Sequence, residues 1–277
     1  MIELLKKYAK IFFILSIAIW AFFSGIIIYT KIKTGDWFYK DLTLAGGKSI
    51  LIEYTGKINV NSIENILRKE FGNVYVREIT NIYNQPIAIK IDLPYNANVT
   101  KVLEVLQKFI QIKSYSVYEF SPLLTTELRA LLYSIILALA FISAVIFLRI
   151  RKMLPSITII LSVIYDLTNT LGLFDLLKIP VSLMTIGAFL MIIGYAIDNN
   201  IVLATYYFRD KDLKRGLITG WTMWGTTVAA LLAVLLFVKQ YVVQQLVLAL
   251  FVAEIFDFIA FTFLNTSIYI LFGEKFK

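Results

Sequence analysis

Apolar residues in this 277-residue chain fall into long blocks with few charges rather than the short alternating patches of a soluble domain. Residues 11–30 carry no charge, and at 1.5 Å per residue such a helix reaches across a bilayer. Further blocks follow at 127–148, 154–174, 181–208, 216–238 and 246–272. The pattern predicts an α-helical polytopic membrane protein with six transmembrane helices. The first block is longer than the apolar core of a signal peptide and no A-x-A-like site follows, so it is read as a retained helix. Residues 1–10 and 273–277 are short basic ends.

Residues 31–126 break the pattern, because charges, Asn, Gln and Pro return. A β-rich run at 49–54 follows Gly46 and Gly47. Residues 61–71 place Ile63, Ile66, Leu67 and Phe71 on one helical face, with Asn61 as the expected cap and Glu64 at the reciprocal position. Val74 and Val76 alternate with Tyr75 and Arg77, as in a half-buried strand. Turn chemistry at 81–85 leads to a run with Ile87, Ile89 and Ile91 on one face. Residues 98–110 are helical, with Val102, Leu103, Val105, Leu106 and Phe109 apolar, and 114–120 alternate again. The order βαββαβ predicts one α+β ferredoxin-like extracytoplasmic domain, with an antiparallel sheet and both helices on one face. Gly46 and Gly47 read as a turn or bulge, the alternative being close backbone approach to a partner.

Composition narrows the chemistry. AVILMFWYC residues make up 59% of the chain, and there is neither Cys nor His. That excludes disulfides, thiolate or imidazole metal sites and His-dependent catalysis. No phosphate-loop motif occurs, so neither cofactor, metal nor enzymatic activity is expected. The net charge of +8 could suggest nucleic acid, but its distribution points to membrane orientation instead. Lys and Arg gather at the N-terminus, at Arg149–Lys152, at Arg209–Arg215 and at the C-terminus, while the opposite turns hold only Lys178 and Lys239. The positive-inside rule then places both termini in the cytoplasm and residues 31–126 outside.

The expensive residues are polar ones inside the spans. A carboxylate at mid-bilayer costs roughly 2.5–3.5 kcal/mol on insertion scales, so each is a functional candidate. Asp198 stands with Asn199 and Asn200 in the fourth span. Asp166 and Asn169 lie in the third, and Asp257 and Asn265 in the sixth. At helical rise the three aspartates sit about 14–17 Å from the ends of their helices, a common depth that predicts one polar cluster. Such acids either glue helices through hydrogen bonds or relay protons; Asp198 is the leading relay candidate and Asp166 the second. Glu254 is expected nearer the outer surface. Gly187 and Gly194, seven apart, are expected to admit close helix packing.

With these residues in view, the chain resembles the SecD/SecF family of protein-export membrane subunits. The likeness is to SecF of the archaeal type, within the resistance-nodulation-division superfamily. Ser121-Pro122, then Glu127-Leu128, then Pro155-Ser156 and Asp166 match in order. The segment Gly194-Tyr195-Ala196-Ile197-Asp198 with Ile201-Val202-Leu203 resembles the family's G-Y-S-x-D pattern. Thr222-Met223, Thr226-Thr227 and the Asp257 to Asn265 spacing resemble its fifth and sixth helices. Leu44 stands where the family usually has an aspartate, and residues 216–238 lack the arginine of bacterial relatives. The resemblance implies a cell-membrane subunit that pairs with a SecD-like chain. It would work beside the SecY translocon and meet unfolded secretory chains as clients in the lipid bilayer, with no nucleic acid. The competing readings are a half-transporter of the same superfamily exporting lipid or small molecules, and an intramembrane aspartyl protease using Asp166 and Asp198. The protease pattern wants glycine where Ala196 stands.

Overall fold

The computed structural model describes residues 2–55, 59–72, 74–80, 86–120, 125–238 and 240–274. The turn expected at 81–85, the pair Ser121-Pro122 and Lys239 lie outside them. The chain divides into two compact units, residues 40–128 and the remainder.

The chain opens with a short helix α1 (Ile2–Lys7) and the long α2 (Ala9–Thr34). Gly35 ends α2 at φ 82°, its N–H bonded to the Lys31 carbonyl, a left-handed stop that suits a residue without Cβ.

The second unit holds α3 (Leu42–Ala45), β1 (Gly47–Thr55), α4 (Val60–Phe71), β2 (Tyr75–Thr80), β3 (Pro86–Leu93), α5 (Val99–Gln107) and β4 (Gln111–Phe120). The sheet order is β2-β3-β1-β4, with every neighbour antiparallel. Register places Ile50 opposite Ile91 and Ile52 opposite Ile89, on the face where Leu67 of α4 and Val102 of α5 complete one core. The cap of α4 is Asn59, not Asn61: its side chain accepts from the Ser62 N–H. Glu64 is drawn away from a capping box by an ion pair with Arg68 and by the Val76 N–H it accepts. Asn98 caps α5 on Thr100 and Lys101. Ile87, at the open end of β3, is 49% exposed, so the buried part of this face begins at Ile89. The glycine pair is explained locally. Gly46 takes φ 73° to end α3, and a Cβ on Gly47 would lie 2.5 Å from the Leu93 carbonyl oxygen. On the sheet's other face Asp92 is buried but satisfied by the Ser49 hydroxyl at 2.8 Å and by Arg77 and Lys90. Burial and the neighbouring Glu78 carboxylate, which accepts its hydrogen bond, push the Tyr54 hydroxyl up to about 12.

The first unit resumes with α6 (Thr125–Ile150), α7 (Met153–Leu177), α8 (Leu183–Phe208), α9 (Leu213–Phe237) and α10 (Tyr241–Ile259). A π-helical turn, Ala260–Asn265, then leads directly into α11 (Thr266–Phe272). Among the described residues, five helical stretches are long and apolar enough to cross a membrane: α2, α7, α8, α9 and Val243–Phe272. In α6 the described apolar stretch, Tyr133–Val145, is shorter. Pro155 sits in the first turn of α7, where its missing N–H costs no helical bond. Ser182 starts α8 through a reciprocal capping box with Thr185.

Helices α7, α8 and α10 pack together as the centre, α2 lies on α7, and α9 on α8 and α10. Close approach occurs at glycines other than those expected. A Cβ on Gly172 would sit 2.7 Å from the Phe23 carbonyl oxygen of α2, and one on Gly220 of α9 would run into the Phe261 ring. At Gly187 and Gly194 an added Cβ meets nothing within 4 Å, so no described helix of this chain packs closely there. Gly172→Ala should therefore cost about 1–3 kcal/mol through overpacking. Gly187→Ala should leave stability unchanged or raise it by about 0.5 kcal/mol. Thermal unfolding of the purified chain in detergent, followed by tryptophan fluorescence, checks both; equal midpoints for the two variants would refute the packing assignment.

Candidate functional site

The polar residues of α8 divide between two faces because three consecutive positions cannot share one side of a helix. Ala196, Ile197, Asn199 and Asn200 turn inward and are buried, whereas Asp198 between them is exposed. The expectation of one cluster holding all three aspartates is thus corrected. Equal depth does not fix rotation about the helix axis, and rotation decides which neighbours a side chain meets.

The buried set gathers α7, α8 and α10. The Asn199 amide donates to the Asp257 carboxylate at 2.7 Å. Asp257 and Asp166 face each other closely enough to interact directly, and Glu254 interacts with both. The Asn265 amide bridges the Ser162 hydroxyl and the Asn200 side-chain oxygen, tying α7, α8 and the π turn together. Asn200 in turn donates to the Ala196 carbonyl of its own helix at 2.7 Å. Asn169 and Tyr165 lie on the same buried face of α7, with the Trp20 ring of α2 tilted 54° to the Tyr165 ring at 6.1 Å between centroids. The cluster is under-satisfied: both carboxyl oxygens of Asp166, both polar atoms of Asn169, and one oxygen each of Asp257 and Glu254 lack a hydrogen-bond partner among the described residues. No Lys or Arg lies within residues 153–177, 183–208, 216–238 or 241–272 to balance them. Chemically, this arrangement can hold and pass a proton between carboxyls; it presents no nucleophile paired with a base. Among the described residues no group of acids has the geometry to hold a metal ion.

The π turn is what brings Asn265 into register. Eight residues of α-helix would rotate it about 80° away from Asp257, and the wider turn takes up an extra residue that returns it to the same side. The turn is held by side chains. The Thr266 hydroxyl donates to the Phe261 carbonyl five residues back at 3.0 Å, and the Trp221 indole of α9 donates to Thr262 at 2.9 Å.

Two acids are placed differently from the sequence expectation. Glu254 is buried at 3% exposure, not solvated, because it stands one turn from Asp257 on the face turned to α7; its i,i+3 spacing to Asp257 was the available signal. Asp175, taken for part of a turn, is buried at the end of α7 and accepts the Tyr39 N–H at 3.2 Å, while the Tyr39 carbonyl accepts from Val181. No local pattern could reveal that contact across 136 residues. The aspartyl-protease pair is also absent as such: Asp166 faces Asp257, and Asp198 lies on the outer surface. Removing a buried partner exposes these energetics. Asn265→Leu should lower stability by about 1–3 kcal/mol, since it strips hydrogen bonds from Ser162 and Asn200 together. Thr222→Ala, on an exposed face, should change it by under about 0.5 kcal/mol. The same fluorescence melt reads both, and an unchanged midpoint for Asn265→Leu would remove the bridge from the account.

Comparison with known proteins places this geometry. The family described as "Protein export membrane protein SecD/SecF, C-terminal" matches residues 99–215. The protein-export membrane protein SecF of Methanocaldococcus jannaschii is 29% identical over 246 residues, covering 83% of this chain and 85% of the relative. That of Pyrococcus furiosus is 25% identical over 258 residues, covering 90% and 86%. Among solved structures, SecDF, a translocon-associated membrane protein from Thermus, superposes with a TM-score of 0.73 at 18% identity over 97% of this chain. A second SecDF structure, in the super-membrane-facing form, gives 0.68. This chain spans 38% of the length of each SecDF chain, so the likeness there is one of fold. Taken with the ordered match of the G-Y-x-x-D segment, these findings make the chain similar, over most of its length, to the protein-export membrane proteins SecF and, over residues 99–215, to the SecD/SecF family.

Proposed function

We propose that this chain is an accessory subunit of the Sec protein-translocation machinery, acting with a SecD-like half-transporter beside the SecY channel to promote export of secreted proteins. The observation that carries the reading is the placement of Asp198. Met184, Gly187, Met191, Gly194 and Asp198 follow three- and four-residue spacing and so form one outward stripe on α8. A lone chain would hold that carboxyl against lipid at mid-span, at roughly 2.5–3.5 kcal/mol. A second helix bundle covering the stripe removes the cost, and open glycines at 187 and 194 let it approach closely. A relative named SecDF, with well over twice this chain's length, makes a SecD-like half the natural cover.

Further parts of the reading follow from the same assignment. Helix α6 serves as a sixth span. Both ends lie in the cytoplasm, and the βαββαβ unit, whose sheet order suits a ferredoxin-like fold, lies outside where it can meet the emerging chain. The buried acids, uncompensated by any base in these spans, suit coupling of export to a proton gradient, with Asp198 at the partner interface and Asp166 and Asp257 within this half.

Two substitutions separate assembly from coupling. Gly194→Leu should abolish co-purification with a SecD-like chain from native membranes while the isolated chain melts as before. Asp198→Asn should retain the partner yet slow export several-fold in pulse-labelled secretion from a complemented strain. Undiminished co-purification of Gly194→Leu would sink the interface, and normal export kinetics with Asp198→Asn would sink its role in proton movement.

A further inference from the structure

A cavity of about 470 Å³ opens between α1, the loop joining α8 to α9, and the end of α11. Three lysines reach it from three elements: Lys6 of α1, Lys211 of the loop and Lys214 of α9. We propose that it binds the phosphate headgroup of an anionic membrane lipid, whose chain lies in the adjoining apolar groove. This site is independent of the acids inside the bundle and of the face proposed for a partner.

Charge is the first support. Two acids also line the cavity, Asp212 and Glu274, so the lysines outnumber them. Asp212 is already engaged, because its carboxylate caps α9 by accepting the Arg215 N–H at 2.9 Å. Lys6, Lys211 and Lys214 are exposed, and none forms a salt bridge with a described residue. Their ammonium groups offer the point charges that a phosphate diester takes up, each worth about tenfold or less in affinity at a membrane surface.

Position is the second. The walls Tyr207 and Ile270 belong to the last turns of α8 and α11, where the apolar spans give way to basic residues. That is headgroup level. The floor is rigid: the Tyr207 hydroxyl donates to the Tyr269 carbonyl at 2.7 Å, and the loop is tied back by the Asp212 N–H on the Tyr206 carbonyl. Burial of Leu5 in α1 and of Ala9 at the start of α2 holds Lys6, between them, at the rim.

The neighbouring groove is the third. Lys10, Phe13, Ile14, Leu271 and Phe272 line about 370 Å³ on the flank shared by α2 and α11, with Lys10 the sole charged residue among them. Ile270 borders the basic cavity and the next two residues border the groove. A soluble anion would use only the first space and an apolar chain only the second. An anionic phospholipid uses both.

Native mass spectrometry of the full chain, released from detergent with phosphatidylglycerol or phosphatidylcholine added, tests the assignment. Phosphatidylglycerol should be retained at collision energies that strip phosphatidylcholine. In the Lys6→Gln, Lys211→Gln, Lys214→Gln triple variant its apparent affinity should fall about tenfold or more, with phosphatidylcholine unaffected. Equal retention of the two lipids by the unsubstituted chain would overturn the proposal, as would a triple variant that keeps its preference. Millimolar inorganic phosphate displacing the lipid completely would assign the cavity to a free anion and overturn it too. The three positions are exposed, so the variant should fold; an unchanged melting midpoint verifies that.

Discussion

A carboxyl or amide in hydrocarbon must find a partner, and the membrane unit is arranged around that requirement at one short stretch of α8. Asn199 and Asn200 meet it inward, by bonding Asp257 and Asn265 of the neighbouring helix. Asp198, between them, points the other way and is exposed, with no hydrogen bond to a described residue. Consecutive residues on a helix are turned about 100° apart, so a run of three polar residues cannot serve a single interface. The run divides: Asn199 and Asn200 tie α8 to the last span, and Asp198 is left on the outer surface.

The inward side works only because the last span is not a plain α-helix. Its π turn spends an extra residue, which returns Asn265 to the side of Asp257 and pushes Phe261 over Gly220 of α9. The irregular backbone is kept by the Thr266 hydroxyl and the Trp221 indole, both from positions the polar pattern does not single out. Even so, the acids of α7 and α10 retain unpartnered oxygens. Buried polar atoms of this kind cost about 1–3 kcal/mol each when unpaired and are ordinarily satisfied by a shared proton or by water.

At the two membrane boundaries the unit is fixed by different means. Where the chain leaves for the βαββαβ unit, Tyr39 is held by both of its backbone groups, through Asp175 and Val181. At the opposite ends of α8 and α11, Leu5 of α1 and Ala9 of α2 are buried, and lysines gather around a cavity instead of filling it. One boundary is closed by hydrogen bonds within the chain; the other is left basic and open toward the headgroups.

Sequence alone determined the long spans, the alternating strands and the two amphipathic helices. Each rests on local periodicity that burial on one face imposes: Ile89 and Ile91 with period 2, Ile63 and Leu67 with period 3.6. It also determined which intramembrane residues carry cost, since Asp166, Asp198 and Asp257 stand out against any apolar background. Tertiary structure alone decided which of them meet. Depth follows from counting residues, but facing depends on how helices far apart in the chain rotate and pack. That rotation paired Asp166 with Asp257, buried Glu254 beside them, and turned Asp198 outward. The same holds for glycine. Gly187 and Gly194 had the spacing for close contact, yet Gly172 and Gly220 made it, because α2 and the π turn happen to cross there.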